Sequence, residues 1–316
     1  AKSKRKTTAL LTGITPEAER EFQHVREIAS KYSVELFKIP GVISVGVGAK
    51  RKKHERDPSS LVVVVTVRKK RTGTSERSRL KKLDEMIPTS LDGVPTDVVD
   101  ELPSQHLSAV APRGDSFSPI VGGIVTQSSS LIGFVGTLGG CLYIKKHPGG
   151  VIEANGFGGV GVAMSNSHVW AGPEVSTRGD TRVYQSTRRD GEDIGSVIVN
   201  KPGQDTALCL LGDDSDGTII NDIEFSTEVF GLGFSPTGFG IPRPGQTVVK
   251  SGAFTAVTRG VVDGFATMST GRVYWKVLSS SGFSFEGDSG SFVINESNQT
   301  MVGLMWGGDN GPMSAF

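Results

Sequence analysis

The sequence predicts a mostly β protein in which a strand-rich domain follows a small, basic α+β domain. Three observations carry that reading. From about residue 120 onward, short runs rich in Val, Ile, Phe and Thr alternate with clusters of Gly, Asp, Ser and Pro, without a helical stripe. Glycine is unevenly placed, with 6 of the 42 in residues 1–110 and 36 after them. The formal net charge of +1 hides a division: residues 1–82 carry 21 Lys/Arg against 8 Asp/Glu, and residues 83–316 carry 13 against 25. Two unlike domains follow, at 1–102 and 120–316, with a Pro- and Ser-rich linker over 103–119.

In the first domain, a basic tail (Lys2-Ser3-Lys4-Arg5-Lys6) precedes a helix start at Thr15-Pro16-Glu17-Ala18-Glu19. There Thr15 is the N-cap, Pro16 takes the first helical position and acids occupy the first turn. Ala18, Phe22, Val25, Ala29, Tyr32 and Leu36 form one apolar stripe, and Pro40-Gly41 ends the helix. Strands are predicted over Val42 to Gly48 and Leu61 to Val67, with a short one over Val94 to Val99. Basic loops lie at Lys50 to Arg56 and Arg68 to Lys82. Residues 1–82 therefore suit an anionic partner, nucleic acid or a membrane surface. Against this, no aromatic residues interleave with the Lys and Arg, as single-strand binders require, so solvated loops account for the charge equally well. The positive domain could also dock on its acidic neighbour, and Lys2 to Lys6 matches a nuclear-import pattern.

In the second domain, strands are predicted over Leu131 to Val135, Cys141 to Ile144, Val160 to Met164, Ile194 to Val199, Ala207 to Leu211, Thr247 to Lys250, Val273 to Leu278 and Ser291 to Ile294. This spacing and the length of about 200 residues suit one or two β-barrels. Gly156, Gly158 and Gly161 match a dinucleotide fingerprint but lead into a strand, not a helix, so the phosphate-binding geometry is missing. Asn295-Glu-Ser and Asn298-Gln-Thr match glycosylation sequons within a polar turn.

With 36% hydrophobic and 21% charged residues and no apolar run longer than Leu61 to Val65, the composition fits neither a disordered nor a membrane-spanning chain. A soluble protein is expected. Cys141 and Cys209 cannot form a disulfide scaffold and have no metal-type spacing, so no metal site is predicted and a reducing compartment is allowed. No cofactor is expected, and the expected location is intracellular, cytoplasmic or nuclear.

Chemistry concentrates at three places. They are Ser165-Asn166-Ser167-His168-Val169, Gln204-Asp205-Thr206-Ala207-Leu208 and Glu286-Gly287-Asp288-Ser289-Gly290-Ser291. A nucleophilic serine needs an adjacent base to take its proton, and the base needs a carboxylate to fix its tautomer and stabilise the imidazolium. In chain order these segments supply His168, Asp205 and Ser289, the His, Asp, Ser order of one of the three familiar triad arrangements. The alternatives are weaker. His24, His54, His106 and His147 sit in surface-type segments, and Asp180 and Asp193 sit in polar Gly-containing turns.

Residues 120–316 resemble the trypsin-like (chymotrypsin-fold) serine proteases. Gly287-Asp288-Ser289-Gly290 is similar to the family's nucleophile loop, Ser167-His168 to its histidine segment, Asp205 with Ala207-Leu208 to its aspartate strand, and Met305-Trp306-Gly307 to its substrate-binding segment. Residues 41–48 and 91–99, with Ser-Asn-Ser-His-Val, also resemble a branch with an N-terminal extension, found in bacteria and in plant narrow-leaf-type proteins. The resemblance implies a double β-barrel and an acyl-enzyme endopeptidase. In it, His168 is the base, Asp205 its orienting group and Ser289 the nucleophile, while the backbone N–H groups of Gly287 and Ser289 bind the oxyanion. Phe283, Trp306 and Gly307 would then contact a protein or peptide substrate, and because no acid stands at Phe283 an apolar P1 preference follows. An inactive, peptide-binding relative is the alternative.

Departures from the family sharpen the expectations. Val169 replaces a common half-cystine, and Met305 replaces a common serine whose hydroxyl serves the site. Ile120-Val121-Gly122-Gly123 looks like the family's activated N-terminus, but Pro119 precedes it and rules out a cut after Lys or Arg, so Asp288 is expected to find another partner. The chain stops at Phe316, nine residues past Gly307, where family members carry a further strand and a helix, so truncation or self-processing is expected there.

Overall fold

The computed structural model describes residues 16–52, 55–68, 86–100, 113–131, 134–144, 160–172, 181–186, 192–212, 223–268, 271, 273–279, 282–308 and 313–315. The tail at Lys2 to Lys6, Thr15, Lys53, His54, residues 69–82, His106, His147, Asp180, the glycines at 156 and 158, and Phe316 lie outside them, while Lys50 to Lys52 and Glu55 and Arg56, expected in a basic loop, lie in two strands that pair with each other. The architecture is mostly β, with one long helix ahead of the strands, as the composition and spacing predict. No helix among the described residues is long and apolar enough to cross a membrane. The chain forms two compact units. One comprises Ala1–Pro103, Arg243–Gln246 and Val261–Val277, and the other Ser104–Pro242, Thr247–Gly260 and Leu278–Phe316.

In the first unit the helix runs over Pro16–Phe37, with Pro16 opening it and Glu17 and Glu19 in its first turn, where acids favour the positive end of the helix dipole. Phe22, Val25, Ile28, Ala29 and Leu36 are buried. Ala18, expected on the apolar stripe, is exposed, and Ile28 takes a place there. The helix packs on a sheet in which Val42–Lys52 pairs antiparallel with Glu55–Val67, which pairs parallel with Val94–Asp100. Residues 264–268 of the strand Ala256–Met268 line the other side of Val42–Lys52, from Ser44 opposite Met268 to Gly48 opposite Gly264. Phe22 lies 6.0 Å from both Phe265 and Trp275. Arg243 clasps Glu19 through Nε and Nη2 at 2.8 and 2.9 Å. Partial burial pushes the Glu19 carboxyl up, but the hydrogen bonds from Gln23 and Arg243 outweigh it and hold the group below its ordinary value. The core of this unit is thus completed by side chains more than 200 positions away in sequence.

In the second unit seven strands form a sheet ordered Gly136–Leu138, Ile124–Ser128, Arg182–Gln185, Glu192–Lys201, Thr206–Leu211, Val160–Ser165 and Gly140–Ile144. Its first and last members are neighbours in sequence, and the N–H of Gly139 between them donates to the Met164 carbonyl at 2.9 Å, so the sheet curls back on itself in the manner of a barrel. Ile124, Leu138, Cys141, Trp170, Val183, Ile194 and Cys209 fill it. Both cysteines are free and buried, and burial pushes the Cys141 thiol up to about 12. A second set of strands, Gly238–Phe239, Thr300–Leu304, Phe292–Asn295 and Thr247–Gly252, packs Val249, Phe292, Ile294 and Met301 into another cluster. The strand expected over Leu131 to Val135 is displaced: Phe134 and Val135 are not in a strand, and Gly136–Leu138 is. Arg113 to Pro119, read as linker, is held down by Arg113, which donates to the carbonyls of Gly123 and Phe230 at 3.1 and 3.3 Å, and by a two-way exchange between the Phe117 backbone and the Gln185 amide.

Candidate active site

His168 lies in a single helical turn, Ser167–Trp170, at the end of the strand Val160–Ser165. The turn is anchored by Trp170, fully buried, whose indole N–H donates to Thr126 Oγ1 at 3.0 Å. Such anchoring leaves the imidazole half-exposed, with 43% of its side-chain surface open. Asp205 follows the short turn Pro202–Gln204 in the left-handed conformation, φ 50°, a region aspartate tolerates better than most residues. Its carboxylate meets His168 twice: Oδ1 accepts from the His168 backbone N–H at 3.0 Å, and Oδ2 lies 2.6 Å from His168 Nδ1. A carboxylate in that position holds the proton on Nδ1 and leaves Nε2 as the basic nitrogen. The rival Asp193 is engaged elsewhere, in a two-point pair with Arg182 at 2.7 and 2.9 Å.

One residue beside this pair was not singled out from the sequence. Asn166 donates its side-chain N–H to the Asp205 carbonyl at 2.8 Å, and its own carbonyl accepts the N–H groups of Val169 and Trp170. It thereby ties the aspartate turn to the histidine turn. An asparagine just before a helical turn is a common cap residue, but nothing local in the sequence names its partner 39 positions ahead.

Ser289 lies in the loop between the two sets of residues 282–288 and Phe292–Asn295. Gly287 has φ +89°, and a Cβ there would stand 2.1 Å from Phe254 Cε2, so only glycine fits. Along this loop the backbone N–H groups alternate. Asp288 donates to Phe285 and Gly290 to Met305, while among the described residues no group accepts from the N–H of Gly287 or of Ser289. Two unclaimed donors flanking a serine are what an anionic oxygen attached at that serine would need. The Ser289 hydroxyl donates to the Trp306 carbonyl at 3.1 Å, and not to His168. The histidine turn and the serine loop nevertheless converge on Gly136: a Cβ built there would stand 2.6 Å from both Val169 methyl groups and 3.0 Å from the Ser289 carbonyl.

Asp288 is wholly buried and accepts from five donors. Lys250 Nζ is at 2.9 Å, Thr255 Oγ1 at 2.6 Å, and the N–H groups of Phe254, Thr255 and Phe285 at 3.0 to 3.1 Å. Lys250 is equally buried, and burial pushes its ammonium below the ordinary value while Asp288 opposes that shift. Asp288 therefore has an internal partner. Ile120 does not reach it; its N is a strand amide donating to the Glu224 carbonyl at 2.9 Å. Among the expected substrate contacts, Phe283 is fully buried, with its ring 5.7 Å from Lys250 Nζ, and Gly307 has open space beside its Cα. Gly307 and Gly308 pair antiparallel with Ala315 and Ser314. No group of His, Cys, Asp and Glu that could hold a metal occurs among the described residues.

No protein-family model matches the chain, and no curated protein matches it either. Among solved structures it is similar to a Nocardiopsis protease at 16% identity and a TM-score of 0.41, with 62% of this chain and 90% of that one covered. It is similar to Thermobifida fusca protease A at 18% identity and a TM-score of 0.40, covering 62% and 90%. A chymotrypsin from Cellulomonas bogoriensis gives 16% and 0.40, covering 62% and 89%.

Proposed function

We propose that this chain is a serine endopeptidase working through an acyl-enzyme. The supporting observation is the two-point engagement of Asp205 with His168, which presents a basic Nε2 in the same unit as a serine flanked by two unclaimed N–H donors. In this reading the Ser289 hydroxyl leaves the Trp306 carbonyl by rotation about χ1 and gives its proton to His168 as Oγ attacks the scissile carbonyl. The oxyanion that forms takes hydrogen bonds from the N–H groups of Gly287 and Ser289. His168 then passes its proton to the leaving amine, and water repeats the sequence to release the acid.

The resting bond from Ser289 to Trp306 is the observation that favours a second reading, a binding module with an idle serine. A fluorophosphonate probe separates the two. An endopeptidase is labelled in the wild type and not in Ser289→Ala, whereas a binding module labels no more than that variant.

The apolar preference belongs to the same proposal. Phe283 contributes a buried aromatic ring and no carboxylate. Peptide esters with Leu or Phe at P1 should be cut at least tenfold faster, by kcat/KM, than the Arg ester, since a guanidinium left without a counter-charge in a dry pocket costs more than 1.4 kcal/mol, or about tenfold. Faster cleavage of the Arg ester overturns the preference without touching the mechanism.

A further inference from the structure

We infer that Thr137 is the positioning residue of the oxyanion site, an inference that rests on the acyl-enzyme reading above. Thr137 is the central residue of the strand Gly136–Leu138 and is fully buried, so its polar atoms must be satisfied within the protein. All four are. Its hydroxyl donates to the Gly287 carbonyl at 2.8 Å and accepts from the Ala253 N–H at 3.0 Å. Its own N–H donates to the Ser289 carbonyl at 2.7 Å, and its carbonyl accepts the Ser165 hydroxyl at 2.8 Å.

The placement of these bonds gives Thr137 its role. The two unclaimed donors are the N–H groups of Gly287 and Ser289, and Thr137 holds the carbonyl of each of those same two residues. Each carbonyl shares a rigid peptide plane with the N–H of the following residue, so Thr137 fixes the planes 287–288 and 289–290; the plane that carries the Ser289 N–H is held between them, and the plane that carries the Gly287 N–H is joined to the first through the Gly287 Cα, leaving it only rotation about the N–Cα bond. Gly287 needs this most. With no side chain and a positive φ, it has little intrinsic barrier to flipping a neighbouring peptide plane and turning its N–H away. The Thr137 hydroxyl is the one side-chain group bonded to the Gly287 backbone among the described residues. Ser165 Oγ, at the end of the strand that delivers His168, completes a chain of contacts from the histidine segment through Thr137 to the serine loop. Thr137 touches neither the nucleophile's oxygen nor the base, so its effect passes entirely through the geometry of Gly287 and Ser289.

Thr137→Val tests this, because valine has nearly the same shape and lacks only the hydroxyl. Steady-state hydrolysis of a peptide ester should lose about 10- to 100-fold in kcat with KM within about twofold, the scale expected when a stabilising group is misplaced by a fraction of an ångström to an ångström. Affinity for a peptidyl aldehyde, whose adduct carries the oxyanion, should fall in parallel with kcat/KM, while affinity for the corresponding peptide amide, which forms no adduct, stays unchanged. Thr137→Ser, which keeps the hydroxyl, should restore both. Equal losses for aldehyde and amide, or a Ser variant as poor as Val, overturns the assignment and leaves a packing role. If Thr137→Val fails to fold, Thr137→Ser with normal kcat supports the assignment, and Thr137→Ser with the loss of kcat overturns it. Should the wild type itself neither turn over ester nor bind aldehyde, the acyl-enzyme reading fails first, and with it this inference.

Discussion

Ser289→Ala should lower kcat for a peptide ester by roughly 10⁴- to 10⁶-fold while leaving KM within a few fold, with His168→Ala giving a loss of the same order. The double variant should be no worse than either single one. That non-additivity is the discriminating part. In the proposed mechanism serine and histidine act on one proton, so once either is gone the other would have nothing to do, and the residual rate would come from the oxyanion donors and from binding alone. Two independent contributors would instead multiply their losses. Asp205→Asn belongs to the same set and should cost about 10⁴-fold. Its Oδ1 can still accept from the His168 N–H, but the amide NH₂ now faces Nδ1 as a donor and drives the ring to the tautomer whose Nε2 carries the proton. Stopped-time assays on the wild type and the four variants suffice. Multiplicative losses in the double variant, or an Asp205→Asn enzyme within tenfold of wild type, would sink the proposed division of labour.

How much of this was legible beforehand follows from the range over which each interaction acts. The pairing of His168 with Asp205 and the tight glycine-flanked loop at Ser289 were legible because each of these residues sits in a short pattern with its own local signal. The glycine at 287 admits a positive φ, and Asp205 leads directly into the buried strand Thr206–Leu211. Lys250 could not be named as the partner of Asp288. At the end of the predicted strand Thr247 to Lys250 no local signal names its partner, and only the fold shows it fully buried against a residue 38 positions on. Thr137 was hidden for the same reason, being bonded to a carbonyl 150 positions away. The strand Ala256–Met268 was missed because Gly260 and Gly264 interrupt its β-branched residues and Asp263 breaks the alternation. Gly264 has to be small, since a Cβ there would stand 1.8 Å from the Val47 carbonyl. The helix at Pro16–Phe37 was legible almost to the residue, because its period, its proline start and its Pro40-Gly41 stop are all local signals.

Lys250→Met should cost about 3 to 5 kcal/mol of stability, the scale for breaking a fully buried ion pair by removing one partner, and lower the melting midpoint by on the order of 10 °C. The argument concerns what is left behind. Methionine fills nearly the same volume and sits comfortably near the Phe283 ring, so packing changes little. Asp288, however, keeps its place with no part of its surface exposed and loses the one cation paired with it among the described residues. Its other four donors, Thr255 Oγ1 and three backbone N–H groups, are neutral and cannot replace that charge. Removing the charge as well should therefore repair most of the damage. In the double variant Lys250→Met, Asp288→Asn, the asparagine oxygen can accept the N–H groups of Phe254 and Thr255 while its NH₂ donates to Thr255 Oγ1, leaving the Phe285 N–H as the one backbone donor that loses its acceptor. An unpaired buried N–H costs about 1 to 3 kcal/mol, so the double variant should recover about 2 kcal/mol relative to Lys250→Met. Chemical denaturation of wild type, both single variants and the double closes the cycle. A double variant less stable than Lys250→Met would mean that the Asp288 carboxylate, and not its pairing with Lys250, is what holds the serine loop.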